Sequence, residues 1–185
     1  MEAIALSAGV VFVAELGDKS QLAALSLAAR RGWREVVVAV LVVSVVTTSL
    51  SAVGGGVIGA ALSPVARAWL AGLVFLVVAV WSWMGSPIQA EPEVASRSRL
   101  AAIGVLVVAE LGDKTMFATA GLGAEFGALP AWIGASVGMA AAGLLAVAIG
   151  ARVGRWLSPQ TLRVATSAVF LAVAVSFVVV AVSST

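Results

Sequence analysis

The stretch VAELGDKSQLA, residues 13–23, lies inside the first apolar run of the chain yet carries Glu15, Asp18, Lys19 and Gln21. Its flanks, IALSAGVVF and LAALSLAA, have the composition of a lipid-facing helix. A charged group at the centre of a spanning helix costs about 2.5–3.5 kcal/mol on insertion scales. The same pattern returns as VAELGDKTMFA at residues 108–118, with Glu110, Asp113 and Lys114. Four acids and two lysines in apolar surroundings are a penalty that packing alone does not select. How they are accommodated decides the fold.

The 185 residues are 62% hydrophobic and 11% charged, with a mean hydropathy of +1.13. A soluble domain averages roughly 45–50% apolar and about 25% charged residues. The chain therefore reads as an integral membrane protein whose partner is the lipid bilayer. The pI of 9.9 reflects arginines at segment ends, without the interleaved aromatics of a nucleic-acid surface. Cysteine and histidine are both absent, which excludes disulfides, thiolate metal sites and catalysis built on histidine. A bound metal must be held mainly by oxygen. The N-terminus, MEAIALSAGV, lacks the basic region of a cleaved signal peptide.

Spans of about 20 apolar residues cross a bilayer. That length predicts an all-α polytopic membrane protein with six transmembrane helices, near 3–29, 36–62, 68–88, 100–124, 132–151 and 164–184. The halves repeat. Glu110 follows Glu15 by 95 positions, and the same offset carries Gly32 onto Gly127 and LSP at 62–64 onto LSP at 157–159. It also carries VFLVVAV at 74–80 onto VFLAVAV at 169–175. The expected organisation is one three-helix repeat at 1–88, a cytoplasmic linker at 89–99 and a second repeat at 100–185.

Arg30, Arg31, Arg34, Arg97, Arg99, Arg152, Arg155 and Arg163 follow odd-numbered segments, and Arg67 stands alone on the other side. The positive-inside rule then places both termini outside the cytoplasm. Three helices per repeat make the halves antiparallel, an arrangement that transporters use to build binding sites at the midplane.

On a regular helix Glu15 and Asp18 share a stripe that Gln21 extends; the second copy has Met116 in place of Gln21. A structural alternative pairs Glu15 with Lys19 and Glu110 with Lys114 at i, i+4, but one carboxylate per motif is left over. The functional reading is a divalent-cation site built from Glu15, Asp18, Glu110 and Asp113, since hard cations take several oxygen ligands. Four acids against two lysines leave −2, the charge one divalent cation cancels. When the cation leaves, protons are the available counter-charge, which is the logic of an exchanger. Gly17 and Gly112 permit close approach or local unwinding. Ser20 and Thr115 point away from the stripe on a regular helix and offer hydroxyls if it unwinds. Ser44, Thr47, Thr48 and Ser51 form a polar stripe on the second segment, either a hydrated path or interhelical hydrogen bonds. The pairs Gly55/Gly59 and Gly150/Gly154 read as packing contacts, and Trp69, Trp81, Trp83, Trp132 and Trp156 as interface anchors.

ELGDKS and ELGDKT, one in each half, resemble the doubled E-x-G-D-K-[ST] signature of a family of small manganese/calcium transporters that includes bacterial manganese exporters and Golgi and chloroplast Gdt-type proteins. The resemblance spans nearly the whole chain. It implies a secondary antiporter of the plasma membrane exporting Mn²⁺, with Ca²⁺ as a further candidate, against H⁺ and without a cofactor. It also implies Glu15, Asp18, Glu110 and Asp113 as ligands and proton carriers, supported by Ser20, Gln21 and Thr115. An exporter of small organic solutes and a passive divalent-cation channel are the alternatives. The loops are too short to supply an enzyme's substrate-binding elements. The oligomeric state, monomer or homodimer, is open.

Overall fold

The computed structural model describes residues 1–16, 33–84, 104, 107, 108, 110–153 and 159–184. Among the described residues six helices follow in chain order: α1 (Glu2–Glu15), α2 (Trp33–Ala60), α3 (Pro64–Met84), α4 (Lys114–Phe126), α5 (Ala128–Val153) and α6 (Pro159–Ser183). Four stretches among the described residues are long and apolar enough to cross a membrane: Arg34–Ala60, Pro64–Met84, Ala128–Ala148 and Gln160–Ser183. At about 1.5 Å per residue, α1 and α4 each reach only about 20 Å, short of the ~30 Å hydrocarbon core. Both short helices border a charged motif.

The turn signals act as their chemistry requires. Ser63 precedes Pro64, and its hydroxyl accepts from the Ala66 amide at 3.2 Å, a serine cap with proline at the first helical position. Gly127, at φ +87°, closes α4 against α5.

Large apolar side chains face outward: Val53 and Val57 on α2, Leu73 and Val77 on α3, Val175 and Val179 on α6 are all exposed. The interior is small and partly polar, with Ala39, Ala52, Ser44, Thr47, Thr48 and Ser51 all buried on α2. Lipid supplies no hydrophobic drive between helices, so close backbone approach through small residues has to hold them together. Gly55 and Gly59 do so on α2, where a Cβ would collide with the carbonyls of Ala120 and Ala124 on α4. Gly134 and Gly138 do the same on α5 against α1. Gly55 and Gly59 are thus the packing contacts their spacing predicts; Gly154 lies outside the described residues.

The pairing of helices follows the repeat. α1 packs on α5 as α4 packs on α2, while α2 meets α5 and α3 meets α6. Phe75 of α3 and its repeat counterpart Phe170 of α6 touch at a centroid distance of 5.9 Å. Arg163 donates to the Trp83 carbonyl near one end of that pair, and Gly72 meets Val178 near the other. α3 and α6 therefore run antiparallel. The contacts of Val40 with Gly143 and of Thr48 with Ser136 give α2 and α5 the same relation.

Candidate functional site

In both motifs a helix ends at the glutamate, and in the second a new helix starts at Lys114. α1 ends at Glu15, and Leu16 is already extended at φ −61°, ψ 119°. The Leu16 amide reaches back to the carbonyls of Phe12 at 3.2 Å and Val13 at 3.3 Å. In the second copy the Leu111 amide reaches back to Val107 at 3.1 Å and Val108 at 3.2 Å, which are the repeat counterparts of Phe12 and Val13. Gly112 then turns through φ +87°, a left-handed conformation that glycine adopts without the Cβ penalty. Asp113 caps the new helix, its carboxylate accepting from the Thr115 amide at 3.5 Å. This corrects the regular-helix expectation in the second motif. Glu110 and Asp113 do not share a stripe of one continuous helix, and the i, i+4 relation of Glu110 to Lys114 does not apply across the break.

Unwinding gives Thr115 its hydroxyl role. Thr115 is buried on the first turn of α4, and its Oγ1 donates to Oε2 of Glu15 at 3.1 Å. The Oδ2 of Asp113 stands 3.4 Å from the same hydroxyl. One threonine therefore joins acids from both motifs, reaching Glu15 across a hundred positions of sequence. Glu15 and Glu110 are 3% and 5% exposed, respectively.

Glu110 opens onto a cavity of about 10 Å³, room for the centre of one water-sized body. Thr47, Thr48 and Ser51 line it from α2, and Thr115 and Thr119 from α4. Met116 and Met139 complete the wall. The stripe on the second segment supplies the interhelical hydrogen bond of one of its readings. Thr48 and Ser136 hydroxyls meet at 2.7 Å between α2 and α5, while Thr47, Thr48 and Ser51 also face the cavity. Thr119, Ser136 and Met139 were not singled out as site residues by their sequence. Only the offset of 95 could have drawn attention to Met139, which aligns with Ser44 of the polar stripe.

Asp18, Lys19, Ser20 and Gln21 lie outside the described residues, as do Gly17, Trp156 and the 89–99 linker. Among the described residues no group of three or more acidic side chains is arranged to hold a metal ion. Glu15, Thr115 and Asp113 are brought together, and Glu110 shares the cavity with Thr115. Further along the chain, Glu125 follows the fourth apolar segment. Burial raises its carboxyl above the ordinary value of 4.5, against the lowering pull of Arg67.

Comparison with known proteins adds to this geometry. A family model described as "Divalent cation/proton antiporter GDT1" matches residues 3–89 and 98–185. A protein of Vibrio cholerae serotype O1, described as "Putative manganese exporter", is 31% identical over 180 residues, covering 95% of this chain and 90% of the relative. No solved structure matches the chain.

Proposed function

The chain belongs to the GDT1 family of divalent cation/proton antiporters, and on that premise we propose that it exports Mn²⁺ from the cytosol in exchange for protons, with Ca²⁺ as a further candidate substrate. The observation that carries this reading is the hydrogen bond from Thr115 in the second motif to Glu15 in the first. It draws the two motifs to one place, where a carboxylate pair costly in lipid becomes useful to a cation. In this reading Glu15, Asp18, Glu110 and Asp113 bind the ion by turns and carry the protons that replace it. Asp18 would complete the ligand set.

The architecture assigned to the transporter is two three-helix repeats of inverted topology in the plasma membrane, with six crossings and both termini extracytoplasmic. The antiparallel runs of α2 with α5 and of α3 with α6 support it. So does the break between Glu110 and Lys114, at the register where α1 ends in the first half, since interrupted helices are how transporters bring ligands to the midplane. The small cavity argues against an organic solute, which needs several times its volume.

The test is transport in liposomes carrying an internal Mn²⁺ indicator and an internal pH dye. An inward Mn²⁺ gradient should drive proton exit, and Glu15→Gln or Asp113→Asn should abolish both signals. Mn²⁺ entry without proton movement would leave a uniporter or channel. Absence of any divalent flux from correctly folded protein would remove the reading altogether.

A further inference from the structure

We infer that the thioethers of Met116 and Met139 are the selectivity element of the cavity, favouring Mn²⁺ over Ca²⁺. This rests on the proposed Mn²⁺ transport and extends it to how the ion is chosen.

The hydroxyls of the cavity commit their protons elsewhere. Thr47 donates to the Val43 carbonyl at 2.8 Å, Thr48 to Ser44 at 2.6 Å and Ser51 to Thr47 at 2.8 Å. Thr119 donates to the Thr115 carbonyl at 2.8 Å, and Thr115 donates to Glu15. Each hydroxyl has one proton to give, so what remains for the cavity is lone pairs. Together with the Glu110 carboxylate and the two sulfurs, they form an acceptor-rich lining suited to a cation. At about 10 Å³ the space takes an ion stripped of most of its water. Such an ion must find its ligands on the wall, so wall chemistry decides which ion enters.

Oxygen donors accept Mn²⁺ and Ca²⁺ alike. A thioether does not: it is soft and polarisable, a poor ligand for calcium and a better one for manganese. The two sulfurs come from separate elements, α4 and α5, and converge on one cavity. Met139 Sδ lies 3.6 Å from the Thr47 hydroxyl, but the shorter bond to Val43 takes that proton and leaves the sulfur's lone pairs available. Met116 Sδ accepts from the Gly112 amide at 3.2 Å, which holds it beside the break. The repeat makes the placement specific. Met116 aligns with Gln21, and Met139 with Ser44. At both positions the first half carries an oxygen-bearing side chain and the second half a sulfur.

Two measurements test this. The first compares Mn²⁺ flux and its inhibition by Ca²⁺ in proteoliposomes for the wild type, Met116→Gln, Met139→Ser and the double variant. The double variant should lose roughly ten-fold in preference for Mn²⁺ over Ca²⁺, the scale on which one pocket contact discriminates. An unchanged preference in a double variant that still moves Mn²⁺ overturns the selectivity role while leaving Mn²⁺ export standing. A wild type that moves no divalent ion overturns both. The second measurement needs no variant. The chain has no cysteine and four methionines, so sulfur seen by X-ray absorption beside Mn²⁺ in the loaded wild type comes from methionine. Of those four, Met1 and Met84 are exposed, at 100% and 74%. A sulfur scatterer is expected, and an all-oxygen shell contradicts the inference even if the variants misfold.

Discussion

At the scale of single residues the account turns on Thr115, which would otherwise pass as an ordinary member of a helix. Its hydroxyl ties Glu15 to the segment that carries Asp113, and a hydrogen bond to a charged group is worth about 1.5–3 kcal/mol. Thr115→Val is therefore expected to lower Mn²⁺ flux in liposomes by roughly ten-fold or more on that scale, while Thr115→Ser keeps most of it. Equal loss in both variants would assign Thr115 to packing instead. Glu125 gives a prediction about stability. Its raised carboxyl means the folded state holds the proton more tightly than the unfolded chain does. The folded state therefore loses stability as pH rises from the ordinary value of 4.5 through the raised one. Glu125→Gln should raise the Tm in detergent at pH 7 and leave it nearly unchanged at pH 4. A lower Tm at pH 7 would show that attraction to Arg67 outweighs burial.

At the scale of elements the central features are the breaks and the close helix contacts. Gly112 has open space around its missing Cβ, so Gly112→Ala meets only the conformational cost of φ +87°, about 1–2 kcal/mol. A few degrees' fall in Tm is expected, and no change would mean the break relaxes into helix. Gly59→Ala is a different case, because its Cβ would meet the Ala124 carbonyl. Overpacking of this kind costs about 1–3 kcal/mol, and thermal unfolding should show it. The four long helices were legible from apolar length, and Gly55 and Gly59 from their spacing. The break was not decided by sequence, because the run from 100 to 124 is apolar enough to continue as one helix. Only Gly112 between two acids marked the place, and it allowed close approach equally well. The cavity was less legible still: Thr119, Ser136 and Met139 lie on helices whose composition distinguishes them from packing residues only after the helices have been brought together.

At the scale of the whole molecule, a duplicated sequence folds so that corresponding long helices lie antiparallel and Phe75 meets Phe170, its own counterpart. The duplication was plain in the offset of 95, and the odd number of helices expected per repeat predicted an antiparallel relation. The same offset exposes an asymmetry, since Thr47 and Thr48 of α2 have Ala142 and Gly143 as counterparts on α5. The cavity is thus built from unlike halves. Its polar stripe comes from the first repeat and its threonine link and sulfurs from the second, as suits a carrier that must treat its two sides differently. The central claim is that one acidic centre, made by both repeats, exchanges a divalent cation for protons. Its most direct measurement is simultaneous recording of Mn²⁺ and pH inside liposomes under an imposed Mn²⁺ gradient, for the wild type and for Glu15→Gln. The account predicts that Mn²⁺ entry drives proton exit in the wild type and that the single substitution silences both signals together. Mn²⁺ entry with no proton movement, or a Glu15→Gln protein that still exchanges the two, would contradict it.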